Sequence, residues 1–284
     1  MKSKEVRRAA ALLCALAAAV IGGCAAQPRE PGSGAGVASG TPSAADADPT
    51  SPLSSEQKAA RAETLELLQA GRYAELEARM NGFQQAYRSR AIGDLDLLRE
   101  FGAFARTESA LRGTLDAWVQ EYPASYAAHL ARGIYYFKCG VVTRGKKYIE
   151  RTTPEQIRGM EVYLGHARED LLASMSLDAM PLLSYRYLIL IGMELGERDR
   201  NRDWLDQATA LDADSIVIRR PYMISLETRW GGSLDAMEAF LDASRQAGAS
   251  PAHLWMLQKL IDRERVWLHT RPPGRAASES DDAF

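Results

Sequence analysis

Four histidines, one cysteine in the body of the chain and a scatter of carboxylates are the residues that could do chemistry, and their spacing argues against it. His129, His166, His253 and His269 form none of the short-range pairs that metal sites use, and no HExxH, GxSxG or phosphate-loop pattern occurs. Histidines so placed more often hold structure than catalyse. The adjacent acids Glu169 and Asp170 would diverge by about 100° on a helix, which does not suit paired-carboxylate work. Cys139 ends an apolar run just before a glycine, where a buried, inert thiol is expected. The sequence therefore predicts no enzyme, no metal and no cofactor.

Covalent chemistry is signalled only near the N-terminus. Lys2, Lys4, Arg7 and Arg8 precede an uninterrupted apolar run over 9–21, too short to span a bilayer but of signal-peptide length. Ile21-Gly22-Gly23-Cys24 then resembles the bacterial lipobox, which implies lipidation at Cys24 and a mature chain that begins there; a plain secretory signal is the alternative. Several acyl chains on one cysteine give stable anchoring. Ala25 follows the cysteine, which by lipoprotein convention implies the outer membrane, facing the periplasm. The expected organisation is a signal peptide over 1–23, a lipidated tether over 24–54 rich in Ala, Gly, Ser and Pro, a folded body over 55–270, and a disordered tail over 271–284.

Charge excludes one class of partner. The 35 basic and 37 acidic residues are spread along the chain with no basic domain, so nucleic acid is not expected. Loss of 1–23 takes four basic residues and one acidic one, leaving a mildly acidic body of 31 against 36.

The elements that must position any site are helices. Apolar residues recur at three- and four-residue intervals over 55–70, 74–88, 94–107, 108–121 and 126–138. After an apparent insertion over 141–151 they resume over 154–176, 184–195, 202–211, 216–230, 234–246 and 251–269. Thr153-Pro154-Glu155-Gln156 reads as a capping box with proline at the first helical position. Period-two alternation is never sustained, so no strand is expected. The fold class is all-α, and four or five helix pairs are enough to bury a continuous repeat core.

The segments LLQAGRYAEL, LDAWVQEYPASYAAHLARGIYYFKCG, LLASMSLDAMPLLSYRYLILIGMELG and LDQATALDADS, with the RWGGS turn, resemble a bacterial tetratricopeptide-like (TPR-like) family that carries only a domain-of-unknown-function label. The resemblance implies an α-solenoid of antiparallel helix pairs and no known activity.

Taking Gly140, Gly196 and Gly232 as equivalent turns places Lys138, Arg186, Glu194, Arg219, Tyr222, Arg229 and Trp230 on a concave groove. Arg, Tyr and Trp dominate binding hot spots, and Arg suits carboxylates. Pairing of the arginines with neighbouring acids and burial of the aromatics is the competing reading. Arg144, Lys146, Lys147 and Arg151 of the insertion could instead touch a partner or anionic lipid. The expected function is an envelope lipoprotein that binds a protein or peptide as a scaffold or assembly factor. A periplasmic inhibitor or immunity protein is the alternative, and a cell-wall enzyme would need a polar cluster that the sequence does not show.

Overall fold

Side chains at the helix starts decide where the elements begin. In the computed structural model, residues 52–147 and 151–270 are described and contain eleven α-helices and no strand. Cys24, the 1–23 signal segment, tether residues 24–51, insertion residues 148–150 and the tail over 271–284 lie outside the described residues.

The helices are α1 (Ser55–Gln69), α2 (Tyr73–Arg88), α3 (Asp94–Phe101), α4 (Ala110–Glu121), α5 (Tyr126–Arg144), α6 (Pro154–Met175), α7 (Leu182–Leu195), α8 (Arg198–Leu211), α9 (Ile216–Ser225), α10 (Leu234–Gln246) and α11 (Pro251–Thr270). Capping boxes open α1 and α6: Ser54 and Thr153 accept the backbone N–H of Gln57 and Gln156, whose side chains accept in return. Ser125, Ser215 and Ser233 cap α5, α9 and α10 in the same sense. No described helix is long and apolar enough to cross a membrane.

The expected helix over 94–107 ends at Phe101 and tightens into a 3₁₀ turn, Gly102–Phe104. Arg61 on α1 takes the Arg99 carbonyl there at 2.8 Å, and its guanidinium fills the space that a Cβ on Gly102 would need. Phe101, Phe104, Trp118 and Tyr126 then join in one aromatic chain in the core.

Successive helices pack as neighbours, α5 on α6, α7 on α8 and α10 on α11, with α5, α7, α9 and α11 contacting one another in turn. The most extensive helix packing is between α5 and α6. Gly133 lies under Leu171 and Gly140 under Leu164, and an added Cβ at either glycine would stand 3.0 Å from the leucine. A strictly linear repeat stack keeps each unit in contact with its neighbours only. Here α2 and α3 also reach back across the chain. Gln84 and Arg88 bond Asp178, Tyr87 and Arg90 bond Asp212, and Asp94 accepts the Ser215 hydroxyl at 2.7 Å and the Val217 N–H at 3.0 Å. Asp94 is thus a second cap on the N-terminus of α9, supplied from α3. Burial pushes its carboxyl up, and those two hydrogen bonds only partly offset the rise.

Candidate partner-binding site

Two of the three glycine turns used to set the groove register are displaced. Gly140 lies inside α5, which continues to Arg144, and the turn falls on Gly145 at φ 80°. At the other end the left-handed residue is Gly231, also at φ 80°, and Gly232 follows it. Gly196 is the one placed as expected, at φ 73°. Val141 and Val142 keep the apolar helical spacing beyond Gly140, and small Gly140 serves the approach of α6 rather than a bend.

The longer α5 brings Arg144 out of the supposed insertion and onto Glu194 of α7. Arg144 Nε stands 3.3 Å from Glu194 Oε2, with the two side chains only 14% and 6% exposed. The Trp230 ring, from the 3₁₀ turn Thr228–Trp230 after α9, lies 5.5 Å from the Arg144 guanidinium carbon. Arg229 stands 6.0 Å from the same ring. The helices α5 and α7 and the turn after α9 therefore supply one cluster. Arg144 Nε, Glu194 Oε2 and Trp230 Nε1 are all buried; the first two face each other as an ion pair, and none makes a hydrogen bond among the described residues. Burial pushes the Glu194 carboxyl up, and the Arg144 charge pulls it back in part.

The turn that carries Trp230 is firmly held. Buried Glu227 accepts from Arg229 at 2.7 Å and from Arg263 of α11 at 2.6 Å, while Glu264 accepts the Thr228 N–H at 2.9 Å. Arg198 donates to the Trp230 carbonyl at 3.2 Å and also to that of Gly231. A rigid support of this kind is what a binding constellation requires.

The remaining sequence-predicted groove residues do not join the cluster. Arg186 is largely buried and donates to the Val217 carbonyl at 2.9 Å. Arg219 is 3% exposed, with its guanidinium 3.4 Å from the Ser215 carbonyl; burial pulls it down, and Asp214, Asp212 and Asp94 pull it up. Tyr222 packs its ring 4.8 Å from Phe240 in the core. These three are interior side chains: Arg186 and Arg219 are held by α9 carbonyls and the Ser215 cap region, and Tyr222 packs on α10. Lys138 is half-buried on α5. Of the other insertion cations, Lys146, Lys147 and Arg151 are exposed.

The groups considered for chemistry are engaged in structure. His129 faces the Asp170 carboxylate at 2.9 Å and the Pro123 carbonyl at 3.1 Å, and Arg132 grips the same carboxylate. His253 faces Asp214 and His269 the Arg265 carbonyl. His166 lies against the Tyr136 ring. Cys139 is buried beside the Arg106 carbonyl, and burial pushes its thiol up. No group of three or more metal-ligating side chains occurs among the described residues. A shallow depression between α1 and α2 is lined by Glu63, Glu66, Arg72, Glu75 and Arg79, in which Arg72 pairs with Glu75 and Arg79 with Glu63.

Residues 60–199 match the family model described as a domain of unknown function (DUF4034). The matched stretch holds Arg144 and Glu194 and stops short of Trp230. No curated protein and no solved structure matches the chain.

Proposed function

We propose that this chain is a lipoprotein of the bacterial cell envelope, anchored through Cys24, whose TPR-like solenoid of helix pairs captures a protein or peptide segment as a scaffold or assembly factor. It acts by binding rather than by catalysis. The observation that carries this reading is the Arg144–Glu194–Trp230 cluster: a largely buried ion pair beside an indole whose buried Nε1 has no hydrogen bond among the described residues, supplied by α5, α7 and the turn after α9 and braced from α11. An unpaired buried polar group costs on the order of 1–3 kcal/mol, and a bound partner that accepts from Trp230 Nε1 would recover that cost. The absence of a convergent nucleophile and base among the described residues favours binding. The mixed charge of the body fits a protein partner better than nucleic acid.

The test is crosslinking in intact cells, followed by purification of the full chain and mass spectrometry of what is attached. One abundant partner, lost in Trp230→Ala, supports the proposal. Labelled fatty acid should enter the wild type and be absent from Cys24→Ser; equal labelling of both would contradict the anchor.

A further inference from the structure

We propose that the outward face of α11 pairs with the same face of a second copy of this chain, the two helices running antiparallel. This goes beyond the partner-binding reading and does not depend on it. The inner side of α11 is spent on the fold: Leu257, Leu260, Ile261 and Glu264 are buried, and Arg263 and Glu264 brace the Trp230 turn. Ala252, Trp255, Lys259, Asp262, Val266 and His269 follow one another at steps of three and four on the opposite side. Trp255 is 52% exposed and Val266 63%, although α11 is the last described helix and a stacked-helix protein ordinarily closes with a polar outer face.

The order of residues on this face is self-complementary. Two copies laid antiparallel, with a two-fold axis at the level of Leu260 and Ile261, set Trp255 of each against Val266 of the other and Lys259 of each against Asp262. A parallel pairing would set Lys259 on Lys259 and Asp262 on Asp262, and a slip of seven residues would set Trp255 on Lys259 or Val266 on Asp262. The single copy leaves these groups open to the exchange. Lys259 pairs with no acid among the described residues and lies over the Trp255 ring, 5.2 Å from its centre. Asp262 accepts from Gln258 at 3.0 Å and from Arg265 at 3.4 Å, both through Oδ1, which leaves Oδ2 for a lysine of the second copy. The flanking arginines are answered within each copy, Arg263 by Glu227 and Arg265 by Glu238 and Asp262. In the antiparallel register Arg263 runs beside Met256 and Arg265 beside Gln258 of the second copy, and His269 beside Ala252, so no cation faces another across the seam. One helix face is modest beside the roughly 800 Å² that each partner of a stable complex buries, so the pairing belongs to copies held close together.

The test therefore uses two differently tagged copies of the full chain expressed together in cells. One carries Ala252→Cys and the other His269→Cys, positions that the antiparallel register sets opposite each other. A short membrane-permeant bismaleimide should join one variant to the other and neither to itself, because like positions stand 17 residues, about 25 Å, apart along the seam. Adding Lys259→Glu to both copies makes both cross-pairs repulsive and should cut the adduct about tenfold. Adding Asp262→Lys as well reverses the charges and should restore it, which also shows that the weaker variant had not simply unfolded. Adducts within one variant, an adduct indifferent to Lys259→Glu, or no adduct between the two copies would overturn the proposal.

Discussion

Arg186 on α7 donates through Nη1 to the Val217 carbonyl on α9 at 2.9 Å. That carbonyl would normally receive the N–H of residue 221, four positions on, but Pro221 has none. A proline in a helix interior leaves an orphan acceptor, and here an arginine from the neighbouring helix fills it. The pairing gives a partner to a buried guanidinium that no acid among the described residues salt-bridges.

The first prediction follows as a double-mutant cycle. Arg186→Met should cost about 1–3 kcal/mol in urea unfolding, because the Val217 carbonyl is left buried and unpaired. In a Pro221→Ala background the helix supplies its own N–H, and the same substitution should cost measurably less. Strictly additive losses would show that the two residues do not share this carbonyl.

Close helix approach predicts opposite signs for three glycine substitutions. Gly133→Ala and Gly140→Ala press a methyl against Leu171 and Leu164 at 3.0 Å, and overpacking of about 1–3 kcal/mol should exceed the gain in helix propensity. Gly165→Ala meets nothing within 4 Å on the exposed side of α6 and should stabilise by about 0.5–1 kcal/mol. Thermal unfolding of the three variants checks the order.

Two buried aspartates predict opposite pH dependences. Burial pushes Asp170 up, but hydrogen bonds and charge from His129 and Arg132 outweigh it and hold the carboxyl below its ordinary 3.8. The folded chain then binds fewer protons than the unfolded one in that window. The contribution of Asp170 is present above 3.8 and is lost as the pH falls through the depressed folded value. For Asp94 the folded value is raised, so its contribution is greatest below 3.8 and declines as the pH rises through the folded value. Urea midpoints against pH should therefore lose an acid limb in Asp170→Asn. In Asp94→Asn, whose side-chain oxygen can still accept from Val217, the decline on raising the pH should vanish. Unchanged profiles in both variants would contradict the assignments.

How much of this was legible from sequence depended on the range of the cause. The capping box at Thr153 and Gln156 and the αL stop at Gly196 are local, and both stand where the pattern put them. Glu194 and Trp230 each meet Arg144, and Arg229 lies beside the Trp230 ring. Gly140 misled because a glycine in a helix serves a neighbour as readily as a turn, and the distinction lies with Leu164, 24 residues further on. That error moved Arg144 out of the site; the apolar spacing of Phe137 and Val141 was the signal that would have kept it in. Arg186 and Arg219 were placed on an open wall because nothing local announces that Asp94 would cap α9 from more than a hundred residues away. The proline at 221 was a sign that some outside donor was needed, but not which one.

The central claim is that partners are captured at the Trp230 cluster. A photo-crosslinking amino acid placed at Arg229, the exposed neighbour of that ring, can be compared in living cells with the same group at Val162, which is 61% exposed on α6. Glu227 keeps Arg263 when Arg229 is replaced, so the turn should stand. The account predicts one dominant protein adduct from position 229, absent when Trp230 is changed to alanine, and none from position 162. Equal adducts from both positions, or none from 229, would contradict it.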